Sequence, residues 1–346
     1  METIKTRKTF LDLLRIIACF FVIVNHTNSG IFLSTTPQNL VWFVSLTYFF
    51  VSKIAVPIFF MISGYLLLNK IDSYKKCLQR IIRIVTVLIG CGFIYAIYHN
   101  YYINPNPSFI SAIKQFLTVY IASPSNALWY LYTYLGILFM LPFLQKMVSL
   151  MTKRDYHIFF AISGLFFSIL PILTHYCHLI TVDANFQLPL FGEYICMLFI
   201  GQYFSKFGIK KTRRGFCVAC VLFVTMVAFN VIATYFEYQK SSSNYLFFDD
   251  CTFFPIVLQS VCVFYLISFV KAPEKLAKII SYIGSCTFGI YLLSDMSIGL
   301  LKPIYVMASS YMHRFFALII FEMCIFIIGL IVVALLKKIP FIKKVL

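Results

Sequence analysis

The sequence predicts an all-α integral membrane protein with about ten transmembrane helices and both termini in the cytoplasm. Three observations lead there. The 346 residues are 61% hydrophobic and only 12% charged, a balance too apolar for a soluble core. The apolar residues gather in windows of about 20, the length that crosses the hydrocarbon of a bilayer. Lys and Arg are plentiful in every second connection and scarce in the others, as the bias toward cytoplasmic loops requires.

The first window, 11–33, follows Lys5, Arg7 and Lys8. It is too long for a signal peptide, carries Arg15 inside it and shows no small-residue cleavage site, so it is expected to stay in the mature protein. The second window, 41–68, ends at Lys70, Lys75 and Lys76, and the third, 80–102, opens on Arg80 and Arg83. The fourth and fifth, 126–150 and 156–175, meet around Lys146, Lys153 and Arg154. The sixth and seventh, 186–206 and 215–236, enclose Lys206, Lys210, Lys211, Arg213 and Arg214. The last three are 251–270, 279–301 and 313–337, with Lys271, Lys275 and Lys278 after the first and Lys337, Lys338, Lys343 and Lys344 at the end. The alternate connections hold only Lys114, Lys240, Lys302 and Arg314.

A multi-pass protein of the cell membrane is the consequence, read as a single transmembrane domain over 1–346 with no separate soluble domain. The net charge of +17 follows from this topology and from attraction to anionic lipid, and gives no reason to invoke nucleic acid. The eleven cysteines include one CxxC pair, Cys217 and Cys220, inside an apolar window, and serve mostly as small hydrophobes; Cys177 and Cys251 alone approach the outer surface, where a disulfide is allowed and not required. Turn formers mark the outer connections 103–125 and 237–250, and within the first, between Asn104-Pro105-Asn106-Pro107 and Ser123-Pro124-Ser125, Phe109–Ile121 has the pattern of a short helix lying on the membrane surface.

Ionisable residues inside spans are costly and mark sites of function. Arg15 and His26 occupy the first span eleven residues apart, which returns them to nearly the same azimuth about 16 Å apart along the axis. A neutral imidazole accepts a proton at physiological pH and suits a general base acting on a hydroxyl. The guanidinium, permanently charged and fork-shaped, suits phosphate or carboxylate. The competing reading has His26 bonding a neighbouring helix while Arg15 reaches the interface. Asp12, one turn before Arg15, reads as its salt-bridge partner or a helix-start charge.

Other intramembrane charges are Lys53 near mid-span, Glu193 and Asp295 in outer halves, and Glu322 in the last helix. Asp295 and Glu193 share the expected depth of His26. Either carboxylate suits orienting an imidazole, against the alternative of a helix-to-helix hydrogen bond. Lys53 reads as one half of a buried ion pair, or as a group polarising a substrate oxygen. Ser63, Tyr65, Trp129 and Tyr130 are cavity-lining candidates, although such residues often serve as interhelical glue or interfacial belt. His99, His175, His178 and His313 fall near outer ends and His157 near an inner one, where solvation is the common fate. No metal site is expected, though the spacing of His175 and His178 allows one.

The string Leu11-Asp12-Leu13-Leu14-Arg15, followed after ten residues by His26, resembles the Arg-x10-His signature of the membrane acyltransferase-3 family. So do Val56-Pro57-Ile58-Phe59-Phe60-Met61-Ile62-Ser63-Gly64-Tyr65, Arg80-Ile81-Ile82-Arg83 and Leu128-Trp129-Tyr130-Leu131-Tyr132. The likeness runs from about Leu11 to Leu336. It implies transfer of an acyl group, usually acetyl, from cytoplasmic acyl-CoA to a hydroxyl of a cell-envelope or exported glycan, including lipid-linked glycans. It casts His26 as the essential histidine, Arg15 as its partner, and Arg80 with Arg83 as the basic pair linked with the donor. No permanently bound cofactor is implied; acyl-CoA, as acetyl-CoA, is the donor substrate.

One departure stands out: many members close a late helix with Tyr-Leu-x-His, where this chain has Tyr291-Leu292-Leu293-Ser294-Asp295. Independently of the likeness, Arg80 and Arg83 are three apart and share a helix face at the cytoplasmic edge, where phosphates would arrive; positive-inside anchoring is the plainer alternative. Two other function classes remain compatible with the residues. One is a transporter or exporter, which lacks here a matching pair of broken helices in two halves. The other is a membrane sensing or uptake module.

Overall fold

A computed structural model describes residues 8–37, 39–104, 107–117, 123, 125, 128–177, 194–241 and 246–345. They are about 85% helical, with no strand among them. In chain order the helices are α1 (Thr9–Thr27), α2 (Ser29–Phe32), α3 (Leu40–Ser52), α4 (Ala55–Leu67), α5 (Tyr74–Tyr98), α6 (Phe109–Leu117), α7 (Trp129–Leu150), α8 (Lys153–Gly164) and α9 (Leu170–Cys177). Then come α10 (Ile195–Phe207), α11 (Arg213–Ser241), α12 (Phe254–Ile267), α13 (Glu274–Tyr311), α14 (Arg314–Leu336) and α15 (Pro340–Val345). Among the described residues nine helical segments are long and apolar enough to cross a membrane, and α10 is a shorter apolar helix at the place of the expected sixth span.

The differences from the sequence reading have local causes. The second span is not one helix: it breaks at Lys53 and Ile54 between α3 and α4. Pro57 has no N–H to offer the Lys53 carbonyl, so the helical ladder cannot pass through unaltered. The third span begins earlier than expected, at Tyr74, which puts Arg80 and Arg83 inside the helix rather than at its start. It ends in a π-turn at His99–Ile103. Helices α8 and α9 are joined by a second π-turn, Leu165–Ile169, and α8 opens on a capping box between Thr152 and Asp155, which satisfies two orphan backbone donors. Helix α13 runs for 38 residues with Pro303 inside it, well beyond the expected end at 301. Of the expected surface helix the structure shows Phe109–Leu117; residues 118–122 lie outside the described set. Every cysteine, Cys177 and Cys251 included, is a free thiol.

The chain divides into two compact units, residues 1–70 with 147–285, and residues 71–146 with 286–346. Each draws on two separate stretches, so neither is a contiguous piece of sequence.

In the first unit α1 packs on α3, α4 and α12, and α11 packs along α12. Lipid tails are as apolar as Leu, so such helices are held by close packing and interhelical hydrogen bonds rather than by exclusion from water. The closest approach is between α4 and α10. A Cβ added to Gly64 would fall on the Leu198 carbonyl, and one added to Gly201 on the Met61 carbonyl. Two glycines facing each other's helix are therefore what permits this crossing. At the far end of the unit Trp42, Phe49 and Phe50 of α3 form a buried cluster with Phe32, Val231 and Phe248.

In the second unit Tyr95 of α5 is inserted into the backbone of α13. Its hydroxyl donates to the Leu292 carbonyl at 3.1 Å and accepts from the Met296 N–H at 3.3 Å, bridging a pair that an unperturbed helix would bond directly. The short α15 returns to α5, where Arg83 Nε donates to the Val345 carbonyl at 2.8 Å.

Candidate active site

The residues around His26 are organised by the break in the second span. At the end of α3 the Ser52 carbonyl has lost its regular helical donor, an expensive vacancy inside a membrane. Asn25 of α1 fills it: its Nδ2 donates to Ser52 O at 2.9 Å and also to Phe21 O on its own helix at 3.0 Å. One turn further, the fully buried Asn28 donates to Ser45 O at 2.7 Å and accepts from Ser45 Oγ at 2.8 Å. These two amides fix the rotation and height of α1 against α3. His26, between them in the last turn of α1, is exposed.

Arg15 lies nearer the start of α1, where Nη1 is 2.5 Å from Asp12 Oδ1. The carboxylate is wholly buried and the arginine side chain 25% exposed, so the acid anchors the guanidinium and leaves part of it accessible. Asp12 itself sits against α13, with Gly284 leaving room for its Cβ. The salt-bridge reading of Asp12 thus matches the geometry.

Lys53 stands at the break. Its Nζ lies 3.2 Å from Asp249 Oδ2 and 4.5 Å above the Phe49 ring. The partner acid belongs to a 3-10 turn, Phe247–Asp249, just before α12. Nothing local in the sequence links positions 196 residues apart, and Asp249 does not stand out before the fold is known.

Of the proposed lining residues, Ser63 is half-buried beside Gly64. Tyr65 is packed at the opposite end of α1 from His26, with its hydroxyl accepting from Lys8 and its ring edge-on to Phe10 at 5.8 Å. Trp129 and Tyr130 are half-buried in the first turn of α7; Tyr130 stacks on Tyr134 at 5.8 Å and meets Tyr291 edge-on at 6.0 Å. Asp295, in the second unit, accepts from Ser125 Oγ at 2.5 Å. Glu193 and His178 lie outside the described residues. Glu322 is fully buried in α14.

Arg80 and Arg83 do share a face of α5, and both are engaged by protein. Arg80 Nη1 is 2.7 Å from Asp72 Oδ2, and Lys76 Nζ is 2.9 Å from the other oxygen. Arg83 lies 5.9 Å above the Phe288 ring in addition to its bond to Val345. Burial alone would favour the neutral acid at Asp72, but the hydrogen bonds from Lys76, Arg80 and Gln145 outweigh it and hold the carboxyl at a pKa of about 2. The Asp72 carboxylate therefore stays ionised across the physiological range.

Sequence reasoning also missed the pairing of His175, which was expected to be solvated. Its Nε2 lies 3.1 Å from Glu237 Oε2, and its ring stacks on Phe247 at 4.0 Å. Glu237, near the end of α11, is buried, and it lies one residue past the expected end of the seventh span, so nothing in the sequence singles it out. Among the described residues no group of three His, Cys, Asp or Glu side chains comes together as a metal site.

No curated protein and no solved structure matches this chain. A family model does: one described as an acyltransferase domain covers residues 8–338, nearly the whole length. The match spans the Arg15 and His26 helix, the broken second span, the Arg80 and Arg83 pair and the late helices alike, and with nine membrane-capable helices it shows that the chain belongs to the acyltransferase-3 family of multi-pass membrane proteins.

Proposed function

We propose that this protein is an O-acyltransferase of the cell membrane that moves an acyl group, acetyl by preference, from cytoplasmic acyl-CoA to a hydroxyl of a cell-envelope or exported glycan. The observation that carries the reading is His26, an exposed imidazole whose two flanking asparagines are locked into α3. A general base must be accessible to its substrate and held still, and an exposed imidazole between two anchored asparagines supports that reading.

In the proposed reaction the imidazole takes the proton of the acceptor hydroxyl as the oxygen attacks the thioester carbonyl. The tetrahedral intermediate collapses by breaking the carbon–sulfur bond, and the imidazolium returns the proton to the departing CoA thiolate. Arg15, anchored by Asp12 and partly exposed, is assigned to the donor substrate. Arg80 and Arg83 are assigned to the CoA phosphates, with Asp72 offsetting part of the Arg80 charge. An orienting role for Glu193 is part of the same proposal.

The test uses the full chain in liposomes loaded with labelled acetyl-CoA and supplied outside with a glycan acceptor. Label should move to the acceptor, and His26→Ala should stop it while the protein melts at the same temperature. Transfer at the normal rate by His26→Ala would overturn the assignment. Release of free CoA from donor alone would replace direct transfer by an acyl-histidine route.

A further inference from the structure

The end of α5 and the surface helix α6 flank a shallow, open pocket of about 460 Å³ lined by His99, Ile103, Asn104, Ser111, Lys114 and Gln115. We propose that it is a binding site for the phosphate of a membrane lipid. The inference stands apart from the acyl-transfer chemistry and uses only the second unit.

The position comes from α6. Phe109, Ile110, Ile113 and Leu117 are 42 to 72% exposed and recur at the spacing of one helix face. Phe116 pins the helix edge-on to Phe93 of α5 at 6.0 Å. A short helix with such a face, attached to the end of a span, lies in the bilayer surface with its apolar side among the acyl chains. Ser111, Lys114 and Gln115, at i, i+3 and i+4, then share the other side, at the depth of lipid headgroups. The α5 end of the pocket is shaped by the π-turn His99–Ile103, a local widening often found at functional sites. Two bonds fix this end: Asn104 N donates to His99 O at 2.9 Å, and Ser108 N to Asn100 Oδ1 at 3.2 Å.

The ligand class comes from the lining. It offers one ammonium, an imidazole, a hydroxyl and two amides, and no carboxylate. Among the described residues Lys114 makes no ion pair, and His99 Nε2 is buried with no hydrogen-bond partner, a vacancy that calls for an occupant. Donors around a single positive charge suit a phosphate oxygen. Acyl chains leaving that phosphate would run along the exposed face of α6, which favours a lipid over a free ion.

The test is native mass spectrometry of the purified full chain titrated with phosphatidylglycerol, with diacylglycerol as the lipid lacking phosphate. The wild type should retain phosphatidylglycerol and not diacylglycerol. Lys114→Gln should weaken binding about fivefold, the effect of one cation near an anionic surface, and Lys114→Arg should restore most of it. Lys302→Gln removes another exposed cation of the same unit and should change nothing. An equal loss with Lys302→Gln, or unchanged binding by Lys114→Gln, would overturn the proposal. Complete displacement of the lipid by millimolar inorganic phosphate would overturn the lipid as the source.

Discussion

The last turns of α1 and the first turns of α5 both present polar side chains inside a membrane-spanning segment, and they do it in opposite ways. At His26 the scaffold is neutral: Asn25 and Asn28 bond backbone carbonyls and a serine of α3, and the side chain between them is exposed. At α5 the charges are themselves the scaffold. Arg80 and Lys76 grip Asp72, and Arg83 holds α15 through Val345. With His26 as the proposed base, amide anchors on either side add no charge of their own, whereas at α5 a resident acid offsets the cations beside it.

The sharpest way to break this comparison is His26→Ala, which should lower acyl transfer by about 10² to 10⁴, the usual worth of a general base, with no change in melting temperature. A large loss of stability instead would make His26 part of the scaffold. Next in size is Gly64→Leu, whose side chain would displace the Leu198 backbone; it should abolish the folded protein, as judged by gel filtration in detergent, and normal elution would show that α4 and α10 can separate cheaply. Asn25→Leu should cost about 1 kcal/mol of stability, the common range for hydrogen bonds between membrane helices, and about tenfold in kcat with little change in donor KM. Equal loss in all three would mean that Asn25 only packs. Arg83→Ala should raise the donor KM several-fold and leave kcat nearly unchanged, and an unaltered KM would demote that arginine to an anchor for α15.

The smallest effect concerns Asp72. Its carboxyl sits at about 2 in the folded protein against an ordinary 3.8. Its contribution is thus fully present above about pH 4 and is lost as pH falls through 2. Its cationic partners are partly exposed to water, so Asp72→Asn should cost only about 1 kcal/mol at pH 7, and the gap from wild type should close in acid melts. A gap that persists unchanged at pH 2 would show that shape, not charge, is what Asp72 contributes.

Much of the fold is legible in the sequence because bilayer thickness imposes a length and cytoplasmic charge imposes a rhythm. Windows such as 126–150 and 313–337 lie within two or three residues of α7 and α14. The break at Lys53 was less visible, although Pro57 marked it, since proline bends some spans and merely rides in others, as Pro142 does in α7. The α1 face bearing Arg15 and His26 follows from helical periodicity, and the Asp12 partner from a spacing of three. The pairs Lys53 with Asp249 and His175 with Glu237 do not, because ion pairs between distant segments leave no local trace.

The sequence by itself determined the solvent this protein lives in, the order of its spans, its family and the residues able to do chemistry, since each follows from composition, period or motif. The tertiary structure decided which of those residues are held and which are open. Asn25 looks like any polar residue until the α3 carbonyl it caps is in place, and Arg80 looks free until Asp72 folds against it. A hydrogen bond or ion pair between separate helices depends on how their backbones cross, and in this protein that crossing is set by contacts such as Gly64 against Leu198, which no single segment encodes.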